Sequence, residues 1–145
     1  MKILVVDDNK LSREAIAQFL SEQLMHQVTM AVSGEHALEF LSEMPFEVVV
    51  TDMKMPGMSG IDLTKEIKKI RAATEVIIMT GHGDMESSIN ALRAGATDYL
   101  LKPVNIEELL ITLERIQKLN LLQNENLQLK DTVKNSDELL KEENA

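Results

Sequence analysis

Short runs of Val, Ile and Leu recur along the chain, at Ile3 to Val6, Val28 to Val32, Val48 to Val50 and Val76 to Met79, with a weaker one at Asp98 to Leu101. Read as strands, three of them lack apolar/polar alternation, as expected where a parallel sheet is covered on both faces. Between and after the runs lie stretches with helical spacing: Leu11 to Leu24, Glu35 to Met44, Ile61 to Ile70, Met85 to Ala94, and a long one from Ile106 onward. Leu11, Ala15 and Phe19 share one face of the first, and Leu63, Ile67 and Ile70 one face of the third, so each is expected to cover a side of the sheet. Gly34, Gly60, Gly83 and Gly95 fall at or near the predicted helix ends, where chain reversal needs permissive backbone. Strict alternation of strand and helix predicts an α/β fold, with right-handed crossovers placing helices on both faces.

That alternation leaves the strand order open, since half of a Rossmann sheet would read alike. We expect the flavodoxin-like order 2-1-3-4-5, a doubly wound (βα)5 parallel sheet with an extended C-terminal helix. The chain's 145 residues suit one domain with a short appendage. A hydrophobic fraction of 44% and a charged fraction of 27% are ordinary for a globular protein. No apolar run approaches the roughly 20 residues of a membrane helix, and the apolar start is too short for a signal-peptide core, so a cytoplasmic location and no membrane partner are expected. Cys is absent, which removes disulfide and thiolate chemistry, and the three His residues are scattered. A net charge of −9 argues against direct nucleic-acid binding by this chain.

Ligands of open α/β sheets bind outside the carboxyl ends of the strands, so the residues that finish the strands carry the candidate chemistry. The first strand ends in Asp7-Asp8, the third in Asp52 and the fourth in Thr80, and Lys102 follows the fifth. Converging carboxylates repel one another, and a hard cation such as Mg2+, which prefers oxygen ligands, resolves the conflict. Asp52 is then a nucleophile forming an acyl phosphate, with a hydroxyl from Thr80 and an ammonium from Lys102 neutralising the phosphoryl oxygens. Taken singly, these residues have plainer readings: Asp8 or Asn9 as the N-cap of the first helix, Thr80 as a strand-end hydroxyl, Lys102 as a surface ammonium. Their joint position at the strand ends favours the chemical reading.

Val5-Val-Asp-Asp8, Asp52-Met-Lys-Met-Pro-Gly-Met-Ser-Gly60, Met79-Thr-Gly81 and Asp98-Tyr-Leu-Leu-Lys-Pro103 resemble the signatures of response-regulator receiver domains, over roughly residues 2 to 118 and with no departure from the pattern. The resemblance implies metal ligation by Asp8, Asp52 and the backbone carbonyl of Lys54, with Asp7 acting mainly through the metal's water shell. It makes Asp52 the phosphorylation site, Thr80 the switch hydroxyl, Tyr99 the switch aromatic and Lys102 the partner of the phosphoryl oxygens. A sensor histidine kinase would be the phosphodonor. Pro103 resembles the family's cis-proline, although trans is the commoner state of any X-Pro bond. Gly81 leaves access for a bulky donor. Lys54 and His82 border the pocket and would affect hydrolysis rate, His82 as an exposed loop residue without a catalytic part.

Beyond Ile116 the last helical pattern continues through Leu119, Leu122, Asn126, Leu129 and Val133 to Leu140. These steps form a heptad seam of about three heptads with Asn126 at an a position, which predicts a parallel homodimer; Ser136 at a d position leaves a fraying helix as the alternative. The expected division is a receiver over 1–118 and a coiled-coil linker helix over 119–145. The segment from His82 to Asp98 is similar to receivers of the NtrC group, whose linker leads to a sigma-54-activating ATPase. No G-x-x-x-x-G-K-[ST] loop is present, so the transcription-activating output is expected to lie outside this sequence. The rival reading is a Mg2+-dependent aspartyl-phosphate phosphatase or phosphotransferase. It would want a second carboxylate two residues after the nucleophile, where Lys54 stands. A flavin module is disfavoured by aromatics of only 3% and by Asp7-Asp8 where a phosphate would lie.

Overall fold

The computed structural model describes residues 1–23, 26–81 and 85–122. Nine elements alternate: β1 (Lys2–Val6), α1 (Lys10–Ser21), β2 (Gln27–Ala31), α2 (Gly34–Glu43), β3 (Val48–Asp52), α3 (Gly60–Ile70), β4 (Glu75–Thr80), α4 (Met85–Arg93) and β5 (Asp98–Leu101). Residues 106–122 form a further helix, α5. The strands make one parallel sheet in the order β2-β1-β3-β4-β5, as expected. Two compact units are present, Met1–Leu109 and Leu110–Ala145.

The central residues of the inner strands, Ile3 to Val6, Val48 to Val50 and Val76 to Met79, are all apolar and buried, which explains why they do not alternate. One parity of side chains, Leu4, Val6, Val49, Val76 and Ile78, joins a core with Ala37 and Leu41 of α2, Leu63 and Ile67 of α3 and Ala91 of α4. The other parity, Ile3, Val5, Val48, Val50, Ile77 and Met79, is equally buried. Fully burying each such side chain stabilises the fold by about 1.5–3 kcal/mol, and the sum is set against chain entropy of similar size. Within the second unit Thr112, Leu113 and Ile116 are buried.

On α1 the expected face is wrong. Leu11 is 80% exposed and Ala15 is exposed, while Ile16, Ala17 and Leu20 are buried. The helix carries two overlapping apolar stripes, and the one holding Ile16 and Leu20 offers larger contiguous side chains to the sheet. Ile70 also corrects its expected face, being half-exposed while Leu63 and Ile67 are buried. It is the last residue of α3, beyond the sheet-facing turns.

Local signals set the helix starts. Asn9 caps α1 by accepting the Ser12 N–H at 3.0 Å. Ser59 and Asp62 form a reciprocal capping box at α3, where Ser59 Oγ accepts the Asp62 N–H at 3.1 Å and Asp62 Oδ2 accepts the Ser59 N–H at 3.3 Å. The loop between β3 and α3 turns at Gly57, whose φ of 79° favours glycine. It closes where the Gly60 N–H donates to the Met53 carbonyl at 2.8 Å. A Cβ on Gly60 would stand 2.4 Å from the Asp52 carbonyl oxygen, so only glycine lets α3 begin this close to the end of β3. The Lys102–Pro103 peptide is cis.

Candidate functional site

Parallel register carries the strand-end residues to one edge of the sheet. Val6 lies beside Thr51 across β1 and β3, so Asp7 and Asp52 follow in step; Asp52 lies beside Met79 across β3 and β4, one residue short of Thr80. At that edge Asp7, Asp8 and Asp52 converge, with one carboxylate oxygen from each within 4.8 Å of the others. The Lys102 ammonium reaches in from the end of β5, 3.2 Å from Asp52 Oδ1 and 3.5 Å from Asp7 Oδ2. Its own N–H donates to the Thr80 carbonyl at 2.7 Å, which fixes the base of the side chain against β4.

The three carboxylates differ in environment. Asp7 is fully buried, Asp52 is half-buried and Asp8 is exposed. Burial pushes the Asp7 carboxyl above the usual carboxylate range; the Asn9 N–H and the Lys102 ammonium oppose this, while the Asp52 charge adds to it. Asp7 is held at every handle. Its N–H donates to the Ala31 carbonyl at 3.2 Å, its Oδ1 accepts the Asn9 N–H at 2.9 Å, and its carbonyl accepts from Arg13 Nη1 at 2.8 Å.

Three carboxylates facing one ammonium leave negative charge uncompensated, and the donors are hard oxygens on three backbone positions. That donor set fits a small divalent cation better than a soft metal.

The structure therefore gathers Asp7, Asp8, Asp52 and Lys102, and it ends β4 with Thr80, 1% exposed, alongside. Next in the chain, Gly81 leaves room, for a Cβ there would meet no other described residue within 4 Å. Tyr99 is half-buried against the core below α2, α3 and α4. It pairs with Ile78 as Leu101 pairs with Thr80, so Thr80 and Tyr99 project to the same face of the sheet. Lys54 is exposed in the loop after Asp52. Along that loop runs a cleft of about 520 Å3 lined by Met53, Lys54, Met55 and Ser87 among others. A second cavity of about 240 Å3 lies between α1 and the residues after β5, with Ser12, Ile16, Lys102 and Pro103 in its walls. Leu119 and Leu122 are 50% and 55% exposed on α5, whereas Asn126, Leu129 and Val133, like His82 and Gly83, lie outside the described residues.

Sequence reasoning missed Arg13 and the close approach at Gly60. The signal for Arg13 was a cation near the start of a helix that has no acidic residue in its first turn. For Gly60 the signal, a glycine after Ser59, reads as helix punctuation and gives no hint of the backbone it faces.

Comparison with known proteins agrees with this geometry. The chain is 42% identical over 113 residues to the transcriptional regulatory protein ZraR of Escherichia coli K12, a match covering 78% of this chain and 25% of ZraR. It is 36% identical over 140 residues to an NtrX-like response regulator of Rickettsia bellii, covering 95% of this chain and 29% of the relative. The chain thus spans between a quarter and a third of the length of these curated relatives. Among solved structures, NtrX from Brucella abortus superposes with a TM-score of 0.80 at 32% identity, covering 88% of this chain and 29% of that one. The receiver domain of the Francisella response regulator 1452 superposes with a TM-score of 0.77 at 34% identity, covering 82% and 98%. Residues 3–114 match the family profile of the response regulator receiver domain. With the acidic edge and the Lys102 bridge where a phosphoacceptor would need them, the chain belongs to the response regulator receiver domain family.

Proposed function

We propose that this receiver takes a phosphoryl group from a sensor histidine kinase onto Asp52 and thereby controls a transcription-activating output of the sigma-54-dependent kind. The observation that carries the reading is Lys102, whose ammonium bridges Asp52 and Asp7 at the edge where three carboxylates converge.

In this reading Asp8, Asp52 and the Lys54 carbonyl would hold Mg2+, and Asp7 would act through its water shell. The ion supplies charge neutralisation on the phosphoryl oxygens. The chain's own residues do the rest. An Asp52 oxygen attacks the phosphorus of the donor phosphohistidine, an O–P bond forms, the N–P bond breaks, and the imidazole leaves with the electron pair and takes a proton. Lys102 moves its ammonium onto a phosphoryl oxygen, and the Thr80 hydroxyl donates to another. Tyr99, on the same face of the sheet, turns into the space Thr80 leaves, which makes the pair a two-state element biased by the new charge. Water attack on the acyl phosphate releases inorganic phosphate and restores the carboxylate. The chain thus catalyses its own phosphorylation and reset and turns over no free substrate; Lys54, where the rival phosphatases carry a carboxylate, supports this.

The receiver function is assigned to 1–118 and the dimerising linker to 119–145, with Leu119, Leu122, Asn126, Leu129 and Val133 as the seam of a homodimer in the cytoplasm. Nucleic acid is left to another domain. Among the described residues no helix is long and apolar enough to cross a membrane.

The test is intact mass after incubation with acetyl phosphate and MgCl2. One phosphoryl adduct is expected on the wild type and none on Asp52→Asn or in EDTA. No adduct on folded, Mg2+-replete protein, with a phosphohistidine donor also failing, rejects the reading.

A further inference from the structure

Arg13 breaks a local rule. It lies in the fourth position of α1, close to the positive end of the helix macrodipole, and Lys10 starts the same helix; no acidic residue offsets them in the first turn. A helix built for stability alone would carry the opposite sign here, and such violations are expected where function sets the residue. Arg13 pairs with no carboxylate among the described residues. Its Nη1 instead donates to the backbone carbonyl of Asp7 at 2.8 Å, a bond that is partly buried.

That carbonyl belongs to the peptide plane joining Asp7 to Asp8. The rest of Asp7 is held by Ala31, Asn9 and Lys102, whereas Asp8 has no hydrogen-bond partner among the described residues and is exposed. Among the described residues the Arg13 contact is the direct hydrogen bond to this peptide, between an Asp7 and an Asn9 that are both anchored. We propose that Arg13 is a positioning residue for the cation site, holding the Asp7–Asp8 peptide so that Asp8 faces Asp52. This deepens the receiver reading and rests on it.

Two effects of removing Arg13 have opposite signs. Losing a positive charge near a cation site would tighten Mg2+ binding, while losing the hydrogen bond would free the peptide plane and weaken it. The guanidinium is anchored on a backbone oxygen with a directed bond, so the geometric effect is the larger. Removing an outer partner of a metal ligand lowers affinity by about tenfold or more.

The experiment uses the 145-residue chain as wild type, Arg13→Met and Arg13→Lys. Mg2+ affinity is measured from the rise of the thermal unfolding midpoint with MgCl2 and by calorimetric titration, and phosphorylation by acetyl phosphate is followed by mass across the same MgCl2 range. Arg13→Met is expected to keep the wild-type midpoint in EDTA within a few degrees, to bind Mg2+ about tenfold more weakly, and to recover the wild-type phosphorylation rate at saturating Mg2+. Arg13→Lys, which keeps a donor, restores most of the affinity. Unchanged or tighter Mg2+ binding in Arg13→Met overturns the proposal, as does a rate deficit that saturating Mg2+ does not repair. A wild type that takes no phosphoryl group from acetyl phosphate or from a phosphohistidine donor overturns the proposed phosphoacceptor function, and the Mg2+ titrations still decide the part played by Arg13.

Discussion

At the scale of single residues, Asp7 shows how the site exchanges stability for chemistry. Its carboxyl is fully buried and raised above the usual carboxylate range. A carboxyl whose folded-state pKa lies above its unfolded value binds its proton more tightly in the folded protein. The stability it confers is complete below the unfolded pKa, roughly pH 4, and is lost as pH rises through the folded pKa. Asp7→Asn should therefore stabilise the protein in EDTA at pH 7, by on the order of 1 kcal/mol, with the gain shrinking toward zero as pH approaches roughly 4. Urea unfolding at both pH values measures it, and an equal gain at both would show that ionisation is not the cause. The same variant should lose most of the wild type's stabilisation by MgCl2. That Asp7, Asp8, Asp52 and Lys102 meet at one edge, where Thr80 ends β4, was legible because register in a parallel sheet turns strand-end position into proximity. Arg13 was not, since its partner is a backbone carbonyl and carries no mark in the residue types.

At the scale of elements, α3 is positioned by what Gly60 lacks. A methyl group there would meet the Asp52 carbonyl oxygen at 2.4 Å and the Met53 Cα at 3.0 Å, both backbone atoms that cannot rotate away. Gly60→Ala is expected to cost about 1–3 kcal/mol in urea unfolding and to slow phosphorylation at Asp52, because the backbone that must yield carries the proposed acceptor. Gly81→Ala makes the contrast. Its Cβ meets nothing within 4 Å among the described residues, so stability should stay within about 0.5 kcal/mol of wild type. Transfer from a phosphohistidine protein should slow more than transfer from acetyl phosphate, because the methyl narrows the approach of a bulky donor. Equal slowing for both donors would remove access as the explanation. The strands and helices themselves were readable from periodicity and caps. The covering face of α1 was not: Leu11, Ala15 and Phe19 recur at the same four-residue step as the buried Ile16 and Leu20, and spacing alone does not say which stripe meets the sheet.

At the scale of the whole molecule, exposed Leu119, Leu121 and Leu122 give α5 more apolar surface than a solvated helix end needs. If the seam dimerises the chain, changing Leu122, Leu129 and Val133 together to polar residues should convert a sedimenting dimer to monomer while circular dichroism of the receiver is kept. A dimer that survives would place the interface elsewhere. The strand order has a consequence of its own. Asp7 follows β1 and Asp52 ends β3, each of these strands being flanked by a strand on both sides, whereas Tyr99 lies in β5, which pairs with β4 alone, and Lys102 comes directly after it. Amide hydrogens of Val5, Val49 and Val50 should then exchange only through global unfolding, and those of Tyr99 and Leu100 through cheaper local openings. Under the proposed function, the acceptor Asp52 then sits in the part of the sheet expected to open last, and the switch aromatic Tyr99 in the part expected to open first.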